Sequence, residues 1–268
     1  MIKSQNDLIA IELNLFLLRK EIGKMKKSIL IGCLGFFLLG VSLSSVYAAP
    51  FVIQDNYIGG TPTHTNWVGK DVIGETKWFG IEKMVVDFAG GSLDVKIYSN
   101  YFGHIGMYET SLGDLFISTD GWAPNGNADD GYVDDVANHD DWEYALVMDS
   151  SNSSNGDLGL YAVGDGQIVN SSAPGYIYRD GQEVSFTPGT GQGARATGSW
   201  SISGNVLNYN ISYDDWGITG DEIGFHWTMS CGNDVIEGAV PTPEPATILL
   251  FGLGLIGLTT FIRKKKIQ

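Results

Sequence analysis

An all-β domain is predicted from short runs in which apolar and polar residues alternate, set between glycine-rich turns. No window in residues 49–240 sustains apolar residues at helical spacing over three turns. Many short strands of this kind predict a two-sheet antiparallel β-sandwich of the jelly-roll type, with a closed barrel as the second choice. The two ends of the chain differ from this middle: each carries an apolar run beside lysines, so a signal helix is expected at the N-terminus and a single transmembrane helix at the C-terminus.

The N-terminal element is a secretory signal. Met25-Lys26-Lys27 precedes an apolar run over residues 29–41, and Val46-Tyr47-Ala48 supplies small residues at the expected spacing for cleavage. The cut is placed after Ala48, because cutting after Ala49 would set Pro50 beside the scissile bond. Met25 is one reading of the true start; the other is a long n-region containing the apolar residues 8–18. Leu30-Ile31-Gly32-Cys33 resembles a lipobox, but it would leave an apolar stretch shorter than the roughly 7–15 residues such a signal needs. Cys33 is therefore expected to leave with the signal.

Strands follow. Residues 92–98 place Leu93, Val95 and Ile97 on one face, and residues 205–212 do the same with Leu207, Tyr209 and Ile211. Further candidates are 83–88, 114–118, 142–148, 158–163, 176–179, 183–187, 198–202 and 223–229. Ser203-Gly204-Asn205 and Asp180-Gly181 carry turn chemistry and predict two hairpins. Segments 123–138, 149–157 and 188–194 read as loops by composition.

Charge bounds the partners. Residues 49–243 hold 27 acidic and six basic side chains, a net −21, more negative than the −15 of the whole chain because both ends are basic. Such a surface repels nucleic acid and favours cations, so nucleic acid is excluded as a partner. Cys231 is the one cysteine after residue 48, so the exported part can form no internal disulfide, and a buried thiol is expected.

Three constellations could carry chemistry. The first is an acidic loop containing Asn125, Asn127, Asp129, Asp130, Asp134 and Asp135, followed by Asp140 and Asp141. Its six aspartates within 13 residues repel one another unless a cation offsets them, and Ca²⁺ takes oxygen ligands of this kind. The EF-hand spacing is absent, and a solvated acidic loop is the alternative. The second is His226 with Cys231, which would form a thiol–imidazole pair only if the chain bends between them; packing of a terminal strand that runs into a tight loop is the plainer reading. The third is a set of seven tryptophans. Trp142, Trp200 and Trp227 lie in predicted strands and should be buried, whereas Trp122 and Trp216 sit beside turn residues and could form a platform for a carbohydrate ligand.

The C-terminal element is tripartite. Pro243-Glu244-Pro245 precedes an apolar run over residues 246–262, and Arg263, Lys264, Lys265 and Lys266 follow at once. At about 1.5 Å per residue this run reaches ~25 Å, a short span held at one face by its basic end. The prolines keep the segment before it extended and remove amide donors.

Motif, span and basic end in this order resemble the PEP-CTERM sorting signal, the tag of bacterial exosortase substrates. The resemblance covers residues 241–268 and implies that exosortase recognises Pro243, Glu244 and Pro245. It also implies delivery by the secretion machinery, transient anchoring in the inner membrane, and arrival at the cell surface or extracellular matrix of a Gram-negative bacterium. Residues 113–122, 142–147 and 226–238 are also similar to blocks in the middle domain of certain exosortase-dependent surface proteins, which implies a dedicated surface domain of unassigned biochemistry and carries over no catalytic residues. The expected organisation is thus a signal region over 1–48, a monomeric β-sandwich over 49–240 and a sorting tail over 241–268. The expected function is a non-catalytic surface component, not an enzyme. A carbohydrate-binding module contacting extracellular polysaccharide and a secreted glycoside hydrolase are the alternatives.

Overall fold

The computed structural model describes residues 49–89, 91–135, 142–212 and 220–242. The signal region through Ala48, Asp140, Asp141, Trp216, the sorting residues Pro243, Glu244 and Pro245, and the basic end from Arg263 to Lys266 lie outside these. Among the described residues no helix is long and apolar enough to cross a membrane. Strand is the main regular structure of the described residues and the helices are short single turns, as the alternation predicts.

In chain order the strands are β1 Phe51–Gln54, β2 Thr61–Pro62, β3 Ile81–Ala89, β4 Ser92–Ser99, β5 Leu115–Ser118, β6 Tyr144–Met148 and β7 Asn155–Ala162. They continue with β8 Gln167–Asn170, β9 Arg179–Asp180, β10 Glu183–Thr187, β11 Ala196–Ser203, β12 Val206–Ser212, β13 Glu222–Thr228 and β14 Val235–Pro241. A single turn of helix, α1 Thr76–Phe79, precedes β3.

Ten strands form one antiparallel sheet in the order β1-β3-β4-β12-β11-β7-β6-β5-β13-β14. The hairpin β3–β4 puts Met84, Val86, Leu93, Val95 and Ile97 on one buried face, with Val86 opposite Val95. In β11–β12 the same alternation buries Trp200, Leu207, Tyr209 and Ile211 and leaves Ser199, Ser201 and Ser203 in water. Side chains from the ten strands meet in a single core. The terminal strands β1 and β14 approach each other closely enough that a Cβ on Gly238 would lie 2.7 Å from Ile53 Cγ2. The sheet is therefore curled almost into a barrel with a seam between β1 and β14.

This differs from the predicted pair of sheets. β12 pairs with β4, and β13 with β5, so the strands that would have made two sheets are joined into one. Alternation reveals that a strand has one buried face; it carries no information on which partner lies beside it.

A two-stranded ribbon, β8–β10, covers part of the outer face. Phe186 of β10 packs on Phe116, Trp142 and Ala145, which explains why all four residues of β5 are buried. The Asp114 carboxylate joins the layers, accepting from Met148 N–H at 3.1 Å and Phe186 N–H at 2.9 Å. The hairpin predicted at Asp180-Gly181 does not form: β9 pairs with β2, and β10 with β8. The expected loop after β13 is a turn followed by β14, which returns along β13 with His226 opposite Glu237.

Candidate functional site

A cleft of about 770 Å³ opens at the seam. One wall is β1 with the segment that follows it, the second is β14, and the third is the acidic loop. That loop is latched in place. Ile58 and Gly59 donate their N–H groups to the Gly131 carbonyl at 2.8 and 3.3 Å, and Tyr57 Oη donates to Asp135 Oδ2 at 2.8 Å.

Three carboxylates converge here, of which Asp55 and Asp71 line the cleft and Asp234 is buried. Asp55, Asp71 and Asp234 each bring an oxygen within 4.8 Å of the others. They come from different places: the end of β1, the stretch before α1 and the turn before β14. Asp234 is fully buried and accepts from Ile81 N–H at 2.6 Å and Val235 N–H at 3.0 Å. Asp55 Oδ1 is shielded from solvent and has no hydrogen-bond partner among the described residues.

Burial, then the Asp71 charge, pushes the Asp55 carboxyl up to about 8. Burial, followed by its two neighbours, raises Asp234 well above the usual carboxylate range, and burial raises Asp71. Arg179 is the nearby cation. Its guanidinium is fully buried and donates to the carbonyls of Gly232 (3.1 Å), Gly59 (2.7 Å), Lys70 (3.0 Å) and Asp71. One positive charge faces three carboxyls, so at neutral pH the group either holds protons or takes a cation. Carboxylate oxygens lining a cleft are the donor set that a hard divalent ion uses.

A second chain of contacts runs inward from the cleft. Trp122 Nε1 donates to Glu237 Oε1 at 2.7 Å, and the other carboxylate oxygen lies 2.7 Å from His226 Nδ1. His226 Nε2 lies 2.7 Å from the Glu183 carbonyl, which can only accept, so Nε2 carries a proton and donates it. Burial alone would lower the imidazole, but the hydrogen bond and charge of Glu237 outweigh it and raise His226 to about 9. The result is a buried ion pair.

The predicted residues divide accordingly. Trp122 lies at the cleft, edge-on to Tyr132 with ring centroids 5.4 Å apart, and its indole N–H is engaged. Asp129 and Asp130 line the cleft. Asn127 Oδ1 caps Asp129 N–H at 3.0 Å, Asp130 Oδ1 accepts from Tyr132 N–H at 3.2 Å, and Asp135 Oδ1 accepts from Asn125 N–H at 3.1 Å. Asp134 is exposed. None of these belongs to the converging trio. Cys231 is buried, as expected, and burial pushes its thiol up to about 12. With both nitrogens of His226 bonded to glutamates, no thiol–imidazole pair forms. Trp142, Trp200 and Trp227 are buried.

Sequence reasoning missed Asp55, Asp71, Asp234, Arg179 and Glu237 as partners. Asp234 and Glu237 stand within the noticed 226–238 run, but Asp55 and Asp71 are isolated acids with no spacing to mark them.

β14 leaves the seam at Pro241, and Thr242 fastens its exit by donating its N–H to the Asp221 carbonyl at 2.9 Å. From that point the chain matches a family model, the PEP-CTERM protein-sorting motif, over residues 241–266. The chain carries a PEP-CTERM tail. This motif implies export, transient anchoring through the C-terminus and processing by an exosortase on the way to the cell surface. No curated protein and no solved structure matches the chain.

Proposed function

We propose that the acidic β domain is a non-catalytic surface or matrix module, delivered by its PEP-CTERM tail. The observation that carries this reading is the sorting motif at residues 241–266, which begins on the last residue of β14. Engagement of the reactive groups supports the non-catalytic part: His226 is bonded at both nitrogens, and Cys231 is a buried thiol. Incubation of the purified chain with polysaccharide and ester panels should give no turnover, and turnover of any member would overturn the reading. A carbohydrate-binding module is the second reading, favoured by the Trp122 and Tyr132 rings that line the seam cleft.

Calcium is the proposed cofactor of the acidic loop. Asp129 and Asp130 line the same cleft as Asp55 and Asp71, which concentrates carboxylates around it. A ligand bound only by the folded state at a hundredfold excess over Kd stabilises it by roughly 2.7 kcal/mol. Millimolar Ca²⁺ should therefore raise the melting temperature above that in Mg²⁺ at equal ionic strength. Equal shifts in the two salts, or a calcium shift that survives Asp129→Asn combined with Asp55→Asn, would remove the site.

A further inference from the structure

On a different part of the domain, α1, the turn at Tyr108 and the segment before β9 enclose a second pocket of about 620 Å³. Aromatic rings dominate it. Trp78 lies 6.4 Å from Tyr108 and Tyr108 lies 5.3 Å from Tyr176, centroid to centroid, each pair tilted by nearly 60°. Tyr108 and Tyr176 are 44% and 46% exposed, so large apolar faces stand open at the rim. Tyr108 has φ 54° and the next residue, Glu109, φ 62°, left-handed conformations that side chains rarely adopt. Strain of this kind persists where the surroundings over-determine it, often at ligand sites.

Asn233 lines the same pocket. Its side chain is buried, at 7% exposure, and its Oδ1 has no hydrogen-bond partner among the described residues. A carboxamide presents both an acceptor and donors, so its complement is a group that both donates and accepts, as a hydroxyl does. An ammonium could satisfy only the oxygen. The lining also includes no Asp, Glu, Lys or Arg, in a domain with net charge −21. The ammonium nearest these rings, 4.7 Å from the Trp78 centroid, is the protein's own Lys77. A pocket lined by no carboxylate, ammonium or guanidinium, with His64 as its one imidazole, flat apolar walls and one buried amide, fits a neutral ring that has a C–H face and hydroxyl edges.

We propose that this pocket binds a neutral saccharide residue, stacked on Trp78, Tyr108 and Tyr176 and hydrogen-bonded through hydroxyls to Asn233. The proposal does not depend on calcium or on the seam cleft. It is tested with the full-length chain in a polyoxyethylene detergent, since sugar-headed detergents would compete. The probes are methyl glycosides of glucose, galactose and mannose, an array of neutral and acidic oligosaccharides, and choline. Saturation-transfer NMR and tryptophan fluorescence give the readout. At least one neutral glycoside or oligosaccharide should bind. Asn233→Asp should weaken it by about tenfold, the worth of one well-placed hydrogen bond. Tyr176→Ala, at a half-exposed ring, should leave the fold intact and weaken binding by roughly three- to tenfold. Absence of binding across the array, preference for choline, or binding that survives both variants and is lost in Trp122→Ala would overturn the proposal.

Discussion

His226 and Glu237 stand opposite each other on β13 and β14, 2.7 Å apart and shut away from water, with Trp122 holding the second carboxylate oxygen. Removing one partner of a buried pair leaves the other charge uncompensated, at a cost of about 3–5 kcal/mol. Glu237→Gln should therefore lower the denaturant midpoint by that order and bring the imidazole titration down from about 9, followed by NMR of the His226 ring. An unchanged titration would show that the pair does not exist in solution. Neither residue's role was legible in the sequence. The run holding both drew notice for its histidine and cysteine, but alternation sends Trp227 to the core and His226 to the outer face, where the glutamates of β10 and β14 wait. Those partners are set by pairing, not by spacing.

At the scale of elements, legibility followed exposure. The hairpins β3–β4 and β11–β12 each have one wet face, so apolar and polar residues alternate and the strands are plain in the sequence. β14 is buried on both faces through Val235-Ile236-Glu237-Gly238, loses its alternation and reads as a loop. β9 is only two residues long, and the Asp-Gly that begins on its last residue serves a change of sheet, because Arg179 is held by the carbonyls of Gly59, Lys70, Asp71 and Gly232. The seam itself depends on strands nearly two hundred residues apart in sequence and leaves no local trace. Its tightness is testable at Gly238. Alanine there would place a methyl 2.7 Å from Ile53 Cγ2, so Gly238→Ala should cost about 1–3 kcal/mol by overpacking. A companion Ile53→Val should recover part of the loss. An unaltered melting temperature in the single variant would mean that β1 and β14 do not pack as described.

Across the whole molecule, titration and sorting set the behaviour. Asp55 rises to about 8 and Asp114 to about 7, both chiefly by burial, while Asp71 and Asp234 are also raised. A raised acid keeps its proton in the folded state after the unfolded chain has released it, so its contribution is full below the ordinary value near 3.8 and lost as pH climbs through the folded value. His226 acts in the same direction, stabilising below about 6.5 and fading through about 9. The melting temperature should accordingly rise as pH falls from 9 towards 5. Asp55→Asn should flatten that slope and add on the order of 1 kcal/mol at pH 8. A chain that melts lower at pH 5 than at pH 8 would contradict the buried-acid trio.

The sorting tail, by contrast, was legible because it is linear: Pro-Glu-Pro, apolar run and basic end must occur in order, and the order can be read directly. The converging carboxylates come from three separated loops and could not be. The central claim is that the acidic domain travels on this tail, and the intact mass of the protein recovered from the host's surface tests it most directly. The expected mass is that of a chain beginning at Ala49 and lacking the apolar and basic residues after Pro245, with the uncut tail accumulating in the inner membrane when the exosortase is deleted. A surface-recovered chain that retains residues 246–268, or processing unchanged by that deletion, would contradict it.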